Sequence, residues 1–402
     1  MEALDREVLV MKSSQRRAVL LVVIDALPWE LVRRTGFLDD LAAFRGPLKT
    51  VLGYSVAALP TLFSGVMPAR HGHWAMYYHD PAGSPFKSYK PLLWLAHRFG
   101  GRGWTRRFIE RTLPHTSSIK GYFKLYDIPL DLLPQYALVE TSDIFSPGGL
   151  RSARSFFDIL AERGIRYKVW TWRTPEAENF KDLFGALVDG RAQVFFFYTP
   201  ELDAVMHATG VFSGETQAKL REQEAQVREA YRLAQGSYAD VSLMVFSDHG
   251  MTDVEEAHDL MGYVKSRVDA EAPRDYLPFY DSTMARYWGN AGALEQISKA
   301  LAGLDYGKVL GRTELEDLGL DFGHAAYGEI VFLLNPGHVV IPSFMGTDKP
   351  AAMHGFHPDD RSSFGTYISG RALQPEPLHI GDMMDFMIEA IDGLRPDVDP
   401  ER

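Results

Sequence analysis

The chain contains no cysteine. That one absence removes disulfide staples, thiolate zinc sites and cysteine nucleophiles together, and it says little about redox compartment. Long apolar runs are also missing. The most conspicuous, AVLLVVI at 18–24, has seven residues, against the roughly 20 that a membrane helix needs. Positive charge is in deficit: 42 Lys and Arg against 53 Asp and Glu leave a net charge of −11. General nucleic-acid binding requires a basic face, so that class is disfavoured. Lys12, Arg16 and Arg17 ahead of the apolar run imitate a signal peptide, but the run ends on Asp25 and has no small-residue cleavage site. The expectation is a soluble, cytoplasmic protein.

What is present is a large core. Hydrophobic residues make up 46% of 402, which excludes wholesale disorder and fits one large domain with insertions or two ordinary ones. Short β-branched runs alternate with helical periodicity, the pattern of an α/β fold whose mostly parallel central sheet is flanked by helices on both faces. Strands are expected at 18–24, 166–171, 193–198, 241–247 and 329–334, and helices at 150–163, 215–235 and 376–392. Residues 76–145 break the rhythm with Pro, Gly, aromatic and basic residues. Residues 265–345 read as a smaller α+β segment, with FYDSTMARYW a strand and NAGALEQISKALAGL a helix. The expected organisation is a single core over 15–402 carrying an aromatic and basic insertion at 76–145, a candidate lid, and an α+β insertion at 265–345.

Open parallel sheets bind ligands beyond the carboxyl ends of their strands. Asp25 follows the first run, Asp203 and His207 follow QVFFFYTPE, and Asp248 and His249 follow VSLMVFS. Three strands thus deliver three carboxylates and two imidazoles to one edge. Such donors suit zinc, and less selectively manganese or iron. The spacing Asp203-x-x-x-His207 puts both side chains on one face of a helix. The ordinary alternative is that Asp25 and Asp248 cap the helices that follow. A further imidazole comes from AAMHGFHPDD, where His354 or His357 alone would more often be a surface residue. Ser55 follows Gly53 and Tyr54 at the start of an expected helix, whose N–H groups favour an alkoxide or a phosphate. Its ordinary reading is an N-cap serine.

VVIDALP, the Ser55 segment ending SGVMPARHG, PELDAVMH, FSDHGM and MHGF together resemble the alkaline phosphatase superfamily, and most of all its type I phosphodiesterase and nucleotide pyrophosphatase branch. The motifs lie in the family's order over roughly 18–74 and 193–369 and leave most of both insertions uncovered. In that family the nucleophile stands ten residues before the Gly of a Thr-Gly or Ser-Gly pair, and counting back from Gly65 reaches Ser55. The resemblance implies two divalent ions, zinc first and manganese or iron as alternatives. One would be held by Asp203, His207 and His354, the other by Asp25, Asp248 and His249 with Ser55 as its reactive ligand. His354 is preferred to His357 because it directly precedes a glycine, which leaves His357 in a neighbouring position. The implied reaction is hydrolysis of a phosphoric diester through a phosphoseryl intermediate.

The departures are informative. Leu59 replaces the Arg that sulfatases need four residues after their nucleophile, and no cysteine is available for conversion, so that route is disfavoured. Ala58 replaces the Asn with which nucleotide pyrophosphatases hold a phosphate oxygen. Loss of such a donor removes about 3–4 kcal/mol of transition-state stabilisation unless another replaces it. A phosphomonoesterase, a phosphonate-cleaving enzyme and a transferase of phosphoryl headgroups therefore stay open. So does a metal-stabilised binding protein without catalysis. From 81 to 124 nine Lys or Arg face one acid, Glu110, and eleven aromatics fall from Tyr77 to Tyr126. The ordinary reading is a solvated basic face over a small aromatic core. The functional one is a lid over a small or lipid-linked phosphoester, with Tyr54, Lys87 and Lys90 as candidate substrate-binding residues. Contact with an anionic membrane ranks below it, because Gly-Gly-Arg-Gly at 100–103 interrupts a continuous amphipathic helix.

Overall fold

A computed structural model describes residues 16–394 except 42, 100, 101 and 118. Lys12 and the last residues of the expected 15–402 unit lie outside the described residues. The central strands are β1 (Arg17–Ile24), β2 (Phe44–Leu48), β3 (Tyr167–Trp170), β4 (Val194–Thr199) and β5 (Asp240–Phe246). Four more, β6 (Tyr276–Tyr280), β7 (Met284–Gly289), β8 (Gly307–Val309) and β9 (Ile330–Leu334), precede the last central strand, β10 (Gly365–Ser369). The six-stranded sheet runs β2-β10-β5-β1-β4-β3. β5, β1, β4 and β3 are mutually parallel, and β10 runs antiparallel to β5 and β2. This is the mixed, mostly parallel α/β sheet that the sequence pattern predicts.

β1 shows why this sheet forms. Its side chains alternate between two apolar layers, so every residue of the run is buried. Val19, Leu21 and Val23 pack with Leu62 and Phe63 of helix α1 (Ser55–Ser64) and with Met387. Leu20, Val22 and Ile24 pack with Leu183, Val227 and Ala230 on the other face. Two helices, α2 (Lys90–Phe99) and α3 (Arg102–Thr116), lie in the irregular basic segment. α4 (Glu201–Thr209) follows β4, and α5 (Gly214–Ser237) covers the second face.

Several expectations need correction. Residues 329–334 do not join the central sheet. β9 belongs to a four-stranded sheet ordered β6-β7-β9-β8, whose strands pair antiparallel. FYDSTMARYW is not one strand, because Asp281, Ser282 and Thr283 turn the chain between β6 and β7. The helix expected over 150–163 begins only at Phe156, after a capping box in which Ser155 and Asp158 satisfy each other's backbone N–H. The last helix covers Met383–Ile391, preceded by one 3₁₀ turn, where 376–392 was expected. Residues from both irregular segments, among them Phe86, Ile109 and Leu113 from one and Phe279, Tyr287 and Phe332 from the other, share one apolar cluster.

Arg286 on β7 ties this region together. It is fully buried, donates through Nε to Asp281 (3.0 Å) and through Nη1 to the Tyr77 carbonyl (2.9 Å), and lies over the Phe279 ring. Breaking one half of a buried pair leaves the other charge uncompensated, at a cost of about 3–5 kcal/mol. Arg286→Met should therefore lower the urea midpoint by that equivalent, and adding Asp281→Asn should recover part of the loss.

Candidate active site

β4, β1 and β5 are parallel neighbours, so their carboxyl ends bring Asp25, Asp203 and Asp248 together at one edge of the sheet. The turn after β1 is tight. Ala26 takes a left-handed φ of 59°, a conformation that costs a side-chain-bearing residue about 1–2 kcal/mol and clusters at functional sites. Its N–H points at Asp248 Oδ1 (3.4 Å), which ties the two strand tips together. After His249, a Cβ at position 250 would stand 2.1 Å from the Ser362 carbonyl oxygen, so only glycine lets this loop lie against its neighbour. Neither aspartate is a helix cap. The helix at Trp29–Thr35 has Pro28 at its N-cap, with no side-chain cap bond.

Asp203 and His207 sit one turn apart on α4, and His354 reaches them from the loop after Met353. The ligand atoms of this set lie within 4.8 Å of one another, as do those of Asp25, Asp248 and His249. The two sets meet where the His249 and His354 rings stack at 3.9 Å. Gly355 permits that approach, because a Cβ there would stand 2.8 Å from the Tyr54 ring at a φ of +90°. His357 lies apart, facing Glu314 (3.5 Å) and Asp359 (3.7 Å). A third set, Glu256, His258 and His338, lies outside the cavity described below. There the two imidazoles hydrogen-bond each other (2.9 Å), so the pairing needs no ion.

Proton positions follow from the backbone. His249 Nδ1 is 3.0 Å from the Gly250 carbonyl and His207 Nδ1 is 2.8 Å from the Ala352 carbonyl. A carbonyl only accepts, so each Nδ1 carries the proton and each Nε2 of the neutral ring presents a lone pair. Those nitrogens face carboxylates: His207 Nε2 is 3.2 Å from Asp203, and His249 Nε2 is 3.3 Å from Asp25 and 3.4 Å from Asp248. Asp203 Oδ1, Asp248 Oδ2 and His354 Nδ1 are buried without a hydrogen-bond partner among the described residues. Burial raises the Asp25 carboxyl well above the usual range, and the charges of Asp248 and Asp203 push it further. Burial also raises Asp248. For His207, burial alone would lower the imidazole, but Asp203 outweighs it and brings the group to about 8. Imidazole nitrogens crowded against buried, unpartnered carboxylate oxygens are what a positive ion resolves, so the donor set fits divalent cations.

Ser55 is the first residue of α1, not its cap; Tyr54 holds that position. Ser55 Oγ lies 3.0 Å from His249 Nε2 and 3.5 Å from Asp25 Oδ1. Tyr198 donates to the other Asp25 oxygen. The hydroxyl opens into a cavity of about 670 Å³ with Asp25, Asp203, His207 and His354 in its wall. The wall also carries Tyr122, Tyr126, Lys124, Glu140, Trp172 and Arg173.

The substrate-binding expectations fare less well. Lys87 and Lys90 stand outside this cavity, and Lys87 Nζ donates to the Ala82 carbonyl. Tyr54 does line the cavity, but its hydroxyl is engaged with Thr283, accepting from the N–H (3.2 Å) and meeting Oγ1 (2.9 Å). Thr283 Oγ1 in turn donates to the Gly355 carbonyl. The Tyr54 phenol therefore braces the His354 loop. The cation that the insertion brings to the cavity is Lys124. Trp172 and Arg173 come from the loop after β3, where the sequence carries no motif; the aromatic–basic pair after a strand was the only signal.

Glu140 is another residue that sequence reasoning passed over. It is buried, accepts the Tyr122 N–H at 3.1 Å, and burial pushes its carboxyl to about 7 from an ordinary 4.5. In the unfolded chain it ionises first as pH rises, so folding stability falls between about 4.5 and 7 and is level above. Removing the charge should reverse this. Glu140→Gln is expected to match the parent below pH 4.5 and to exceed it above pH 7 by up to about 3 kcal/mol. Urea titrations across that range provide the check.

Comparison with known proteins places this architecture. Human ectonucleotide pyrophosphatase/phosphodiesterase 5 shares the fold with a TM-score of 0.65 at 11% identity, over 93% of this chain and 94% of that one. The murine protein gives 0.66 at 14% identity, over 93% and 94%. An inactive murine variant in complex with AMP gives 0.65 at 15% identity, over 94% and 95%. No curated protein sequence matches the chain. The fold is thus shared with these ectonucleotide pyrophosphatase/phosphodiesterases. The chain belongs to the type I phosphodiesterase/nucleotide pyrophosphatase family, whose sequence profile it matches over residues 19–357.

Proposed function

We propose that the protein is a metal-dependent phosphoric diester hydrolase in which Ser55 is the nucleophile. The observation that carries this is the position of Ser55 Oγ, at the head of α1, 3.0 Å from His249 and 3.5 Å from Asp25, facing a cavity whose wall holds Asp203, His207 and His354 of one Asp/His set and Asp25 of the other. Asp203, His207 and His354 would hold one divalent ion and Asp25, Asp248 and His249 a second. Bound ions would supply Lewis-acid stabilisation of phosphoryl oxygens and lower the serine pKa. Zinc suits these donors best, with manganese or iron as alternatives.

The chain's own groups do the rest. His249 and His207 are locked by their Nδ1–H bonds, so each Nε2 keeps a fixed direction. The positive end of the α1 dipole faces the Ser55 oxygen and favours both its alkoxide and an arriving phosphate. Ser55 Oγ forms a bond to phosphorus as the bond to the first alcohol breaks. Water then cleaves the phosphoseryl ester, restoring the hydroxyl and releasing the monoester. Ala58 provides no amide for a phosphoryl oxygen, and Lys124, a cation in the cavity wall, would take that role. The aromatic wall has room for a leaving group larger than a methyl ester.

The murine relative was captured with AMP, so nucleotide diesters are the first substrates to try. The test compares bis-p-nitrophenyl phosphate with p-nitrophenyl phosphate, using zinc- and manganese-loaded protein. A faster diester reaction supports the proposal. A faster monoester reaction makes the protein a phosphatase on the same scaffold, and no turnover of either by metal-loaded protein favours a binding role.

A further inference from the structure

We infer that the paired helices α2 and α3 form a docking surface for an anionic lipid bilayer. Large apolar side chains are seldom left in water in a contiguous group, and this chain leaves several in one short stretch. Trp94 is 64% exposed, Leu95 49%, Trp104 63% and Phe108 39%. They are not random exceptions to a poorly formed core. On α3, Thr105, Ile109 and Leu113 recur every four residues and are buried. The outward stripe reads Trp104, Arg107, Phe108 and Arg111, the i, i+3, i+4, i+7 spacing of a second, opposite face. On α2, Leu93 and Ala96 turn inward while Pro91, Trp94 and Leu95 turn out. Trp104 and Phe108 stack on one another at 5.4 Å on the outer surface, which fixes them as one apolar plate.

The charge around this plate selects the partner. The segment 81–124 holds nine Lys or Arg and one Glu in a chain whose total is −11, and of these Lys124 belongs to the cavity wall and Arg106 is tied to backbone carbonyls. Arg107, Arg111 and Lys90 are exposed beside the tryptophans. Tryptophan is favoured at the bilayer interface, where its ring sits at headgroup depth, and each nearby Lys or Arg adds about 1 kcal/mol on an anionic leaflet. The Gly-Gly-Arg-Gly stretch, which argues against one long amphipathic helix, instead falls where one helix ends and the next begins. α3 is also fastened to the cavity wall, because Arg106 donates to the Tyr126 carbonyl (2.5 Å) and to that of Ile128. Among the described residues no helix is long and apolar enough to cross a membrane, so the attachment is to the surface.

The experiment is vesicle co-sedimentation of the full chain. Vesicles of phosphatidylcholine with about one third phosphatidylglycerol should retain the protein, pure phosphatidylcholine should retain much less, and added salt should release it. The double variant Trp94→Ser/Trp104→Ser should lose binding at least tenfold, and Arg107→Glu/Arg111→Glu should abolish the preference for the anionic vesicles. Neither variant touches the cavity, so hydrolysis of a soluble diester should be unchanged, and binding is read independently of any activity. Failure of the parent protein to bind anionic vesicles overturns the inference, as does binding that both variants retain. Tryptophan-dependent dimerisation without vesicle binding would assign the plate to a second copy of the chain and also overturn it.

Discussion

Replacing Ser55 with alanine is expected to reduce diester turnover by about 10⁴-fold or more, the scale seen when a nucleophile that acts as part of a unit is removed. Stability and metal content should barely change. Ser55 caps nothing and fills no core position; among the described residues its hydroxyl meets only His249 and Asp25. Alanine is also the best helix former, so the first turn of α1 loses nothing. Ser55→Thr separates nucleophile loss from simple damage to the site. Threonine keeps the hydroxyl and should retain measurable turnover, with the loss chiefly in kcat because the extra methyl crowds the attack on phosphorus. Equal loss in both variants would mean that geometry, not the hydroxyl, is limiting. Full turnover in the alanine variant would remove Ser55 from the mechanism. The measurement is steady-state hydrolysis beside metal analysis of each preparation.

The central sheet and the residues at its edge were readable because both rest on local rules. A strand buried on both faces is a continuous apolar run, and an Asp or His placed just past it falls at the sheet's carboxyl edge. That logic places Asp25, Asp203 and Asp248 side by side without any long-range information. Two strands escaped it. β2 reads FRGPL and β10 GTYIS, short and interrupted by glycine or proline, and their pairing is antiparallel and far apart in sequence. Ile330–Leu334 misled in the opposite way: a buried apolar strand looks the same in either sheet, and only pairing distinguishes them. The α2–α3 pair was obscured by its inverted economy, in which the face that should be polar carries tryptophan and phenylalanine.

The cavity wall was the least legible part. Lys87 and Lys90 lie in the basic segment, but Lys87 sits in a 3₁₀ turn ahead of α2 and Lys90 opens α2, and neither lines the cavity. Lys124 reaches the cavity because Tyr77 holds its carbonyl (2.7 Å) and Arg106 holds the next turn of chain. Tyr54 shows a subtler case. Its position beside Ser55 suggested a substrate contact, and its ring does border the cavity, yet its hydroxyl is committed to Thr283 and so to the His354 loop. Adjacency in sequence predicted the neighbourhood and missed the partner.

Removing divalent ions should abolish turnover and also lower the melting temperature, and the second readout does not depend on catalysis. Without cations the folded chain must hold Asp25 and Asp248 buried at one strand edge with Asp203 beside them, and His249 Nε2 faces the oxygens of both Asp25 and Asp248. Protons relieve part of that conflict, which is why burial and the neighbouring carboxylates raise Asp25. Ions that bind only the folded chain relieve it further, contributing RT ln(1 + [L]/Kd), about 4 kcal/mol at a thousandfold excess over Kd. Dialysis against chelator should thus shift unfolding down, and zinc or manganese should restore it in a concentration-dependent way, whereas magnesium, which prefers an all-oxygen shell, should do so poorly. His354→Ala removes one ligand from the Asp203 set and leaves the Asp25 set whole, so bound metal should fall by one equivalent while Ser55 stays in place. Asp248→Asn should have the complementary effect. Its chelated form should be more stable than the chelated parent, because one of the crowded carboxylates is gone. If chelation leaves the melting temperature unchanged and both variants keep full metal content, the Asp/His sets are not where ions bind, and the buried carboxylates must instead be held by shared protons.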